Sequence, residues 1–210
     1  MQFIDLKKQY KILEQEIKNN INTVLEHGQF IMGPEVSELE QDLAEFSESK
    51  YCLSCSSGTD ALLIALMARG VGVGDYIMTT PFTYIATAEV INLLGAKPIF
   101  VDIDSKTFNI DPVQVERTIV DMHNKGLKIK GIIPVNLFGL PANYDEIYKI
   151  VSKHDIFVLE DAAQSFGAKY KDKVSGNLGD ISATSFFPAK PLGCYGDGGA
   201  IFTNNKDDYD

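Results

Sequence analysis

The hydrophobic residues near the start of the chain recur at the spacing of an α-helix. Four of them, separated by four, four and three positions, are Leu13, Ile17, Ile21 and Val24. This spacing predicts an amphipathic helix that ends near Gly28. A second amphipathic helix is predicted after Gly33, because the proline that follows suits the first position of a helix.

From residue 51 onward, short apolar runs alternate with helical patterns. The apolar runs that predict strands are residues 51–56, 76–80, 97–103, 131–136, 157–161, 183–187 and 199–203. The helical patterns between them cover about 59–69, 83–94, 112–124 and 143–154. Such alternation is typical of βαβ units. It predicts an α/β fold of three layers, with a seven-stranded, mostly parallel sheet and helices on both faces.

Composition and charge narrow the class of protein. The chain has 210 residues, of which 45% are hydrophobic and 23% charged, so it can form one sizeable core. Its net charge of −10 argues against nucleic acid or an anionic membrane as a partner. There is no apolar run of membrane-spanning length and no leader-like start, and only three cysteines are present. We expect a cytoplasmic protein in a reducing compartment.

A glycine flanked by hydroxyl residues stands where a strand passes into a helix. Ser57, Gly58 and Thr59 follow the first predicted strand and precede an apolar helix. Free amide groups at a helix start can bind a phosphate, but the same residues also form an ordinary helix cap. The absence of a Gly-Lys-Ser/Thr ending excludes a Walker-type nucleotide loop.

Two further positions bear side chains that could do chemistry. Asp161 ends a predicted strand, where α/β sheets bind their ligands. The nearest histidine, His154, is on the preceding helix, which argues against a metal site. Lys190 lies between two prolines just after another strand. Loop lysines are usually solvated, yet an amine paired with a carboxylate is what pyridoxal phosphate needs for its aldehyde and its ring nitrogen.

The spacing of Cys52 and Cys55 raises a different hypothesis, a redox or zinc site. Residues three apart in a strand face opposite sides of the sheet, and no second cysteine pair is available for zinc. A redox role would also require the motif to begin a helix. The pattern therefore favours two ordinary strand residues, with redox chemistry as the weaker alternative.

Taken together, four segments resemble the DegT/DnrJ/EryC1/StrS sugar aminotransferases, a family of fold-type I pyridoxal phosphate enzymes. The segments are Gly58-Thr59-Asp60-Ala61-Leu62, Pro81 to Thr87, Glu160-Asp161-Ala162-Ala163-Gln164 and Ser185 to Lys190. The resemblance runs in order from Phe3-Ile4-Asp5-Leu6 to the end of the chain.

The resemblance implies a role for each matching residue. Lys190 would bind the cofactor aldehyde as a Schiff base and move the substrate proton. Asp161 would pair with the pyridine nitrogen, Gln164 would reach the ring oxygen, and Tyr84 would stack on the ring. The phosphate would be held by Ser57, Gly58, Thr59 and Ser185.

The resemblance also implies a reaction. An amino acid, usually glutamate, donates its amino group to pyridoxal 5'-phosphate, and the group then passes to a keto carbon of a nucleotide sugar. Family members that act as dehydratases carry histidine in place of the lysine, so Lys190 favours transamination. The run from Lys190 to Gly199 is most similar to enzymes acting on a UDP-linked 3-keto-N-acetylglucosaminuronate. A 4-keto-6-deoxy nucleotide sugar is the alternative substrate.

The expected organisation is an N-terminal helical segment over residues 1–30 and a cofactor-binding large domain over residues 31–210. The resemblance implies a small C-terminal domain beyond the large one, and we expect it to be missing from this chain, so a cofactor-binding remnant without turnover is a further alternative. The family's active sites lie at a homodimer interface, and the N-terminal segment around Phe30 and Ile31 is expected to contribute to it.

Overall fold

The computed structural model describes residues 4–210, which include seven strands in one central sheet and a small separate hairpin. In chain order the strands are β1 (Tyr51–Cys55), β2 (Tyr76–Thr79), β3 (Lys97–Phe100), β4 (Ile129–Ile133), β5 (Phe157–Asp161), β6 (Lys169–Tyr170), β7 (Lys173–Val174), β8 (Ile181–Ser185) and β9 (Gly199–Thr203). β6 and β7 form the hairpin.

The strand order across the central sheet is β1-β9-β8-β5-β4-β2-β3. Neighbouring strands from β8 to β3 are parallel, whereas β9 runs antiparallel to both β1 and β8. The predicted seven-stranded, mostly parallel sheet is therefore confirmed. The sequence pattern carried no information about the place of β9 between the first strand and the rest.

The helices are α1 (Leu6–His27), α2 (Pro34–Ser47), α3 (Gly58–Ala68), α4 (Ala86–Leu93), α5 (Pro112–Asn124), α6 (Tyr144–Val151) and α7 (Lys206–Tyr209). One apolar cluster packs α5 and α6 on the sheet through residues such as Ile119, Ile147 and Val158. Another packs α3 and α4 on the sheet through Leu66, Ile91 and Leu159. Helices thus cover both faces, as predicted.

The structure differs from the predicted elements at the ends of strands and helices, in one hairpin and in the short helix α7. The third strand stops at Phe100 instead of residue 103, and the sixth predicted run begins two residues earlier, at Ile181. The β6–β7 hairpin was not predicted, because each of its strands has only two residues and a lysine at one of them. Such short pieces lack the alternation that identifies a strand.

Asp5 is the N-cap of helix α1, because its carboxylate accepts from the backbone N–H of Lys8. Gly28 is the C-cap and takes the left-handed conformation with φ of 70°. None of its 22 residues is buried. None of the helices in residues 4–210 combines the length and the apolar content that crossing a bilayer requires.

The two cysteines of β1 lie in the strand, not at a helix start, as the sequence predicted. Burial raises the pKa of the Cys52 thiol to about 12, and it raises the pKa of Cys55 as well. Thiols that stay protonated at neutral pH are poor nucleophiles. The structure therefore gives the redox hypothesis no support.

Candidate active site

The predicted site residues follow strands that end at the same edge of the sheet. β1 and β8 are both antiparallel to β9, so they run parallel to each other and to β5. Ser57 follows β1, Asp161 ends β5 and Ser185 ends β8. The carboxyl ends of parallel strands form the crevice in which α/β sheets bind ligands.

Asp161 is the buried charge of this crevice. Its carboxylate accepts a hydrogen bond of 2.9 Å from the Thr87 hydroxyl and one of 3.1 Å from the Ala163 backbone N–H. Burial raises the pKa of Asp161, while the two hydrogen bonds and the positive charge of Lys190 act in the opposite direction. A buried carboxylate of this kind is stabilised by a cationic partner.

Thr87 is a site residue that the analysis of individual positions missed. Its hydroxyl lies inside the first turn of α4, where it also contacts the carbonyl oxygen of Tyr84 at 3.3 Å. Helical threonines commonly bond the backbone in this way. Thr87 ends the Pro81 to Thr87 segment, and this was the only hint of its role in the sequence. Its contact with Asp161 joins residues 74 positions apart and so could not be read from the local pattern.

The N-terminus of α3 lies against the end of β8. Ser57 caps the helix, since its hydroxyl accepts from the Asp60 N–H at 3.0 Å and donates to the Asp60 carboxylate at 2.9 Å. A side chain at Gly58 would come within 2.5 Å of the Ser185 Cβ. A glycine here lets the open N–H end of the helix approach Ser185, as a phosphate site requires.

Gly58→Ala should therefore disturb the contact between the N-terminus of α3 and the end of β8. We expect a loss of about 1–3 kcal/mol in the free energy of unfolding, because the added methyl group overlaps the end of β8. Inorganic phosphate should also stabilise the variant less than the parent chain in thermal unfolding. Gly72→Ala is the matched control, since nothing lies within 4 Å of the added methyl group. Equal stability of the two variants would contradict this account of Gly58.

Lys190 lies in the loop that joins β8 to β9. The loop is closed at its base by hydrogen bonds between Phe186 and Gly198 and between Cys194 and Phe186, of 2.7 and 2.8 Å. The backbone N–H of Lys190 donates to the Phe187 carbonyl, which makes a tight turn. The side chain is half-buried and forms no ion pair within residues 4–210.

Gln164 and Tyr84 border the same edge. The Gln164 Oε1 accepts from the Phe138 N–H at 2.7 Å, which leaves its NH₂ group as a donor toward a ligand. Tyr84 lies just before α4, three residues before Thr87, whose hydroxyl binds Asp161, and 68% of Tyr84 is exposed. An exposed ring beside a buried carboxylate is available to cover a ligand.

These groups fit pyridoxal phosphate. The cofactor presents an anionic phosphate, a ring nitrogen that takes a proton, and an aldehyde that reacts with an amine. The crevice has a helix N-terminus open at Gly58, a buried Asp161 and an amine that forms no ion pair with the residues the structure describes, each matched to one of these groups. The fold and the crevice thus define the class of α/β proteins typified by pyridoxal phosphate-dependent transferases.

The chain belongs to the DegT/DnrJ/EryC1/StrS aminotransferase family, whose model matches residues 11–210. Solved structures agree with this assignment. A DegT DnrJ EryC1 StrS aminotransferase from Brucella abortus superimposes with a TM-score of 0.97 at 46% identity, covering 99% of this chain and 56% of that one. S. venezuelae DesV, solved in complex with a ketimine intermediate, gives a TM-score of 0.92 at 35% identity over 99% of this chain and 54% of DesV.

Among curated proteins, the UDP-2-acetamido-2-deoxy-3-oxo-D-glucuronate aminotransferase of Pseudomonas aeruginosa is 56% identical over 207 residues. That alignment covers 99% of this chain and 56% of the relative. The chain therefore spans little more than half the length of the curated relative that it matches.

Proposed function

We propose that this chain binds pyridoxal 5'-phosphate and takes part in moving an amino group from glutamate to a keto carbon of a nucleotide sugar, as a cytoplasmic enzyme. The observation that carries the proposal is Asp161, fully buried at the end of β5, bonded to Thr87 and under the positive charge of Lys190. The name of the Pseudomonas aeruginosa relative supports a UDP-linked 3-keto-N-acetylglucosaminuronate as the substrate.

Each side chain of the crevice would have its own role in this reaction. The bound cofactor supplies an electron sink for the electron pair of the substrate carbon. Asp161 would hold a proton on the ring nitrogen, and Lys190 would remove a proton from the donor α-carbon and return it to the cofactor carbon. The N–H groups at Gly58 and Thr59, with the Ser185 hydroxyl, would bind the phosphate, beside the helix cap formed by Ser57.

Gln164 and Tyr84 would orient the cofactor ring. The free NH₂ group of Gln164 would donate to the ring oxygen, since its carbonyl oxygen is already bonded to the Phe138 N–H. Tyr84 would cover one face of the ring and exclude water from it. We propose the corresponding division of the chain, with residues 31–210 as the cofactor-binding domain and residues 1–30 as a helical extension, of which residues 1–3 lie outside the described part.

The half-reaction with glutamate tests this proposal. The chain loaded with cofactor and mixed with glutamate should form one 2-oxoglutarate per bound cofactor, with a shift of the visible absorbance to that of the amine form. Borohydride added beforehand should attach the cofactor to Lys190, as mapped by mass spectrometry. Absence of 2-oxoglutarate, or attachment to a different lysine, would refute the proposal. Amination of a 3-keto but not of a 4-keto-6-deoxy nucleotide sugar would decide the substrate class.

We further propose that α1 and the segment after it contact a second copy of the chain. Ile21 and Leu25 are one helical turn apart and are 53% and 62% exposed, and the residues that follow the helix include Phe30, Ile31 and Met32, all exposed. Exposed large apolar residues concentrated in one segment are typical of an interaction site. Its occupant would be a symmetry-related copy, as in most soluble assemblies.

Sedimentation should then show a dimer at high protein concentration. Leu25→Asp should shift the chain to monomer, because a charge would be buried at the interface. Thr23→Asp places the same carboxylate at an exposed position on the opposite face of α1, two residues from both Ile21 and Leu25, and should leave the dimer intact. A parent chain that stays monomeric at all concentrations would exclude this assembly.

A further inference from the structure

Glu160 is a fully buried carboxylate that the proposed chemistry does not use. It precedes Asp161 in β5, so the alternation of a strand turns its side chain to the opposite face of the sheet. Its two oxygens accept from five groups at 2.7–3.1 Å, namely the Asn136 side-chain NH₂, the Ser175 hydroxyl, the Gly176 N–H, the Leu178 N–H and the Ser182 hydroxyl.

The nature of these donors favours a charged Glu160. The Asn136 NH₂ donates to Oε1, the Leu178 N–H donates to Oε2, and the Gly176 N–H contacts both oxygens. N–H groups can only donate, so both oxygens must accept. Burial raises the pKa of the Glu160 carboxyl, and the bonds from Ser175, Leu178, Ser182 and Gly176 oppose that effect. A carboxylate satisfies every donor, whereas an amide cannot.

Asn136 connects this carboxylate to Asp161. The Asn136 Oδ1 accepts from the Ala142 N–H at 2.9 Å and the Tyr144 hydroxyl at 3.0 Å, so its NH₂ group must face Glu160. The backbone N–H of Asn136 donates to the Asp161 carbonyl at 3.1 Å. One buried asparagine thus joins the ends of β4 and β5.

The same asparagine begins the turn that holds Gln164. Residues Leu137–Gly139 form a single 3₁₀ turn directly after Asn136. Within it Phe138 has φ of 56°, a left-handed conformation that a phenylalanine rarely adopts. This conformation directs the Phe138 N–H to the Gln164 Oε1 at 2.7 Å. Strained backbone of this kind persists only where its surroundings hold it.

We propose that charged Glu160, acting through Asn136, is a positioning residue that fixes the two chain segments carrying Asp161 and Gln164. The inference rests on the proposed function for the roles of those two residues, while the positioning itself is a property of the chain without cofactor. No part of Glu160 needs to touch a ligand for this role.

Replacing Glu160 with glutamine tests the proposal. The Glu160→Gln amide NH₂ would face an N–H donor in either orientation, at Asn136 or at Leu178. We expect the Asn136, Phe138 and Asp161 amides of the cofactor-free chain to exchange their hydrogens about tenfold faster or more. The dissociation constant of pyridoxal phosphate should rise about 10- to 100-fold.

A second substitution separates positioning from a general loss of stability. Asn136→Asp alone should accelerate hydrogen exchange and weaken cofactor binding as much as Glu160→Gln does, because it places two carboxylates side by side. The double variant with both Glu160→Gln and Asn136→Asp exchanges donor and acceptor between the two positions. It should restore slow exchange at Asn136, Phe138 and Asp161 and restore cofactor affinity to within about threefold of the parent chain.

Asp180→Asn is the matched control. Asp180 accepts from the Val158 N–H at 2.8 Å near the opposite end of β5, so the same acid-to-amide change there should leave the three amides unaffected. The positioning role is wrong if Glu160→Gln does not accelerate exchange at these amides beyond Asp180→Asn, or if the double variant restores nothing. A parent chain that binds no pyridoxal phosphate would instead refute the proposed function, and the exchange data would still decide the role of Glu160.

Discussion

Lys190→Ala should abolish the release of 2-oxoglutarate from glutamate by the cofactor-loaded chain. The loop places this amine where its charge acts on Asp161, and alanine removes the group that would move the proton. General acid–base groups contribute roughly 10²–10⁴-fold, so the rate should fall by at least about that factor. The measurement is the rate of 2-oxoglutarate formation in a single turnover.

Two comparisons make this expectation specific to Lys190. Lys153→Ala, at an exposed site after α6, should leave the rate unchanged. Adding a small primary amine should restore part of the rate in Lys190→Ala, because a free amine can enter the space of the missing side chain. A variant with more than a tenth of the parent rate would remove Lys190 from the proposed chemistry.

Asp161→Asn should weaken cofactor binding while leaving the cofactor-free chain at least as stable. The single oxygen of asparagine can accept from the Ala163 N–H, and its NH₂ can donate to the Thr87 hydroxyl, which can donate in turn to the Tyr84 carbonyl. The neutral amide, however, has no charge to pair with a protonated ring nitrogen. Breaking a buried charge pair costs about 2–5 kcal/mol, so the dissociation constant of pyridoxal phosphate should rise about 30-fold or more. Titration calorimetry measures the affinity, and thermal unfolding without cofactor measures the stability.

The pH dependence of stability and of cofactor binding provides a second test of the role of Asp161. Burial raises the pKa of Asp161 above its unfolded value, so the folded chain binds this proton more tightly than the unfolded chain. Between the ordinary aspartate pKa and the raised one, stability of the cofactor-free chain should fall as pH rises. Asp161→Asn should remove that part of the slope, whereas cofactor binding by the parent chain should weaken as pH falls through the raised pKa.

Thr87→Val tests the role of Asp161 without removing its carboxylate. It removes one donor that lowers the pKa of Asp161, so the acid limb of cofactor binding should move to higher pH. An unchanged acid limb in Thr87→Val, or unchanged affinity in Asp161→Asn, would show that Asp161 does not contact the cofactor.

The hydrophobic pattern was sufficient to predict the seven strands of the central sheet, because buried parallel strands form apolar runs such as residues 157–159. It could not predict their order, since the place of β9 depends on contacts distant in sequence. The local signals at Gly28 and at the proline after Gly33 did identify helix ends. They act through neighbours in the chain and so are visible in the sequence alone.

The strand ends that carry Gly58, Asp161 and Lys190 were visible in the sequence pattern, whereas the contacts between the side chains of the candidate site were not. Glu160 and Asp161 are adjacent carboxylates, and the sequence alone does not say which of them faces the crevice and which the interior. The contacts of Thr87 with Asp161 and of Asn136 with Glu160 join residues 74 and 24 positions apart. Ser57 was expected to hold phosphate, and its hydroxyl is already engaged by Asp60, which only the folded helix start reveals.

The position of β9 also bears on the order in which a nascent chain can fold. β1 is at the edge of the sheet and its partner there is β9, with Tyr51 opposite Thr203. These strands are about 150 residues apart, so during synthesis at about 5–20 residues per second β1 must wait roughly 8–30 s for its partner. Until then both edges of the first strand are unpaired, and a strand in that state is open to pairing with other chains.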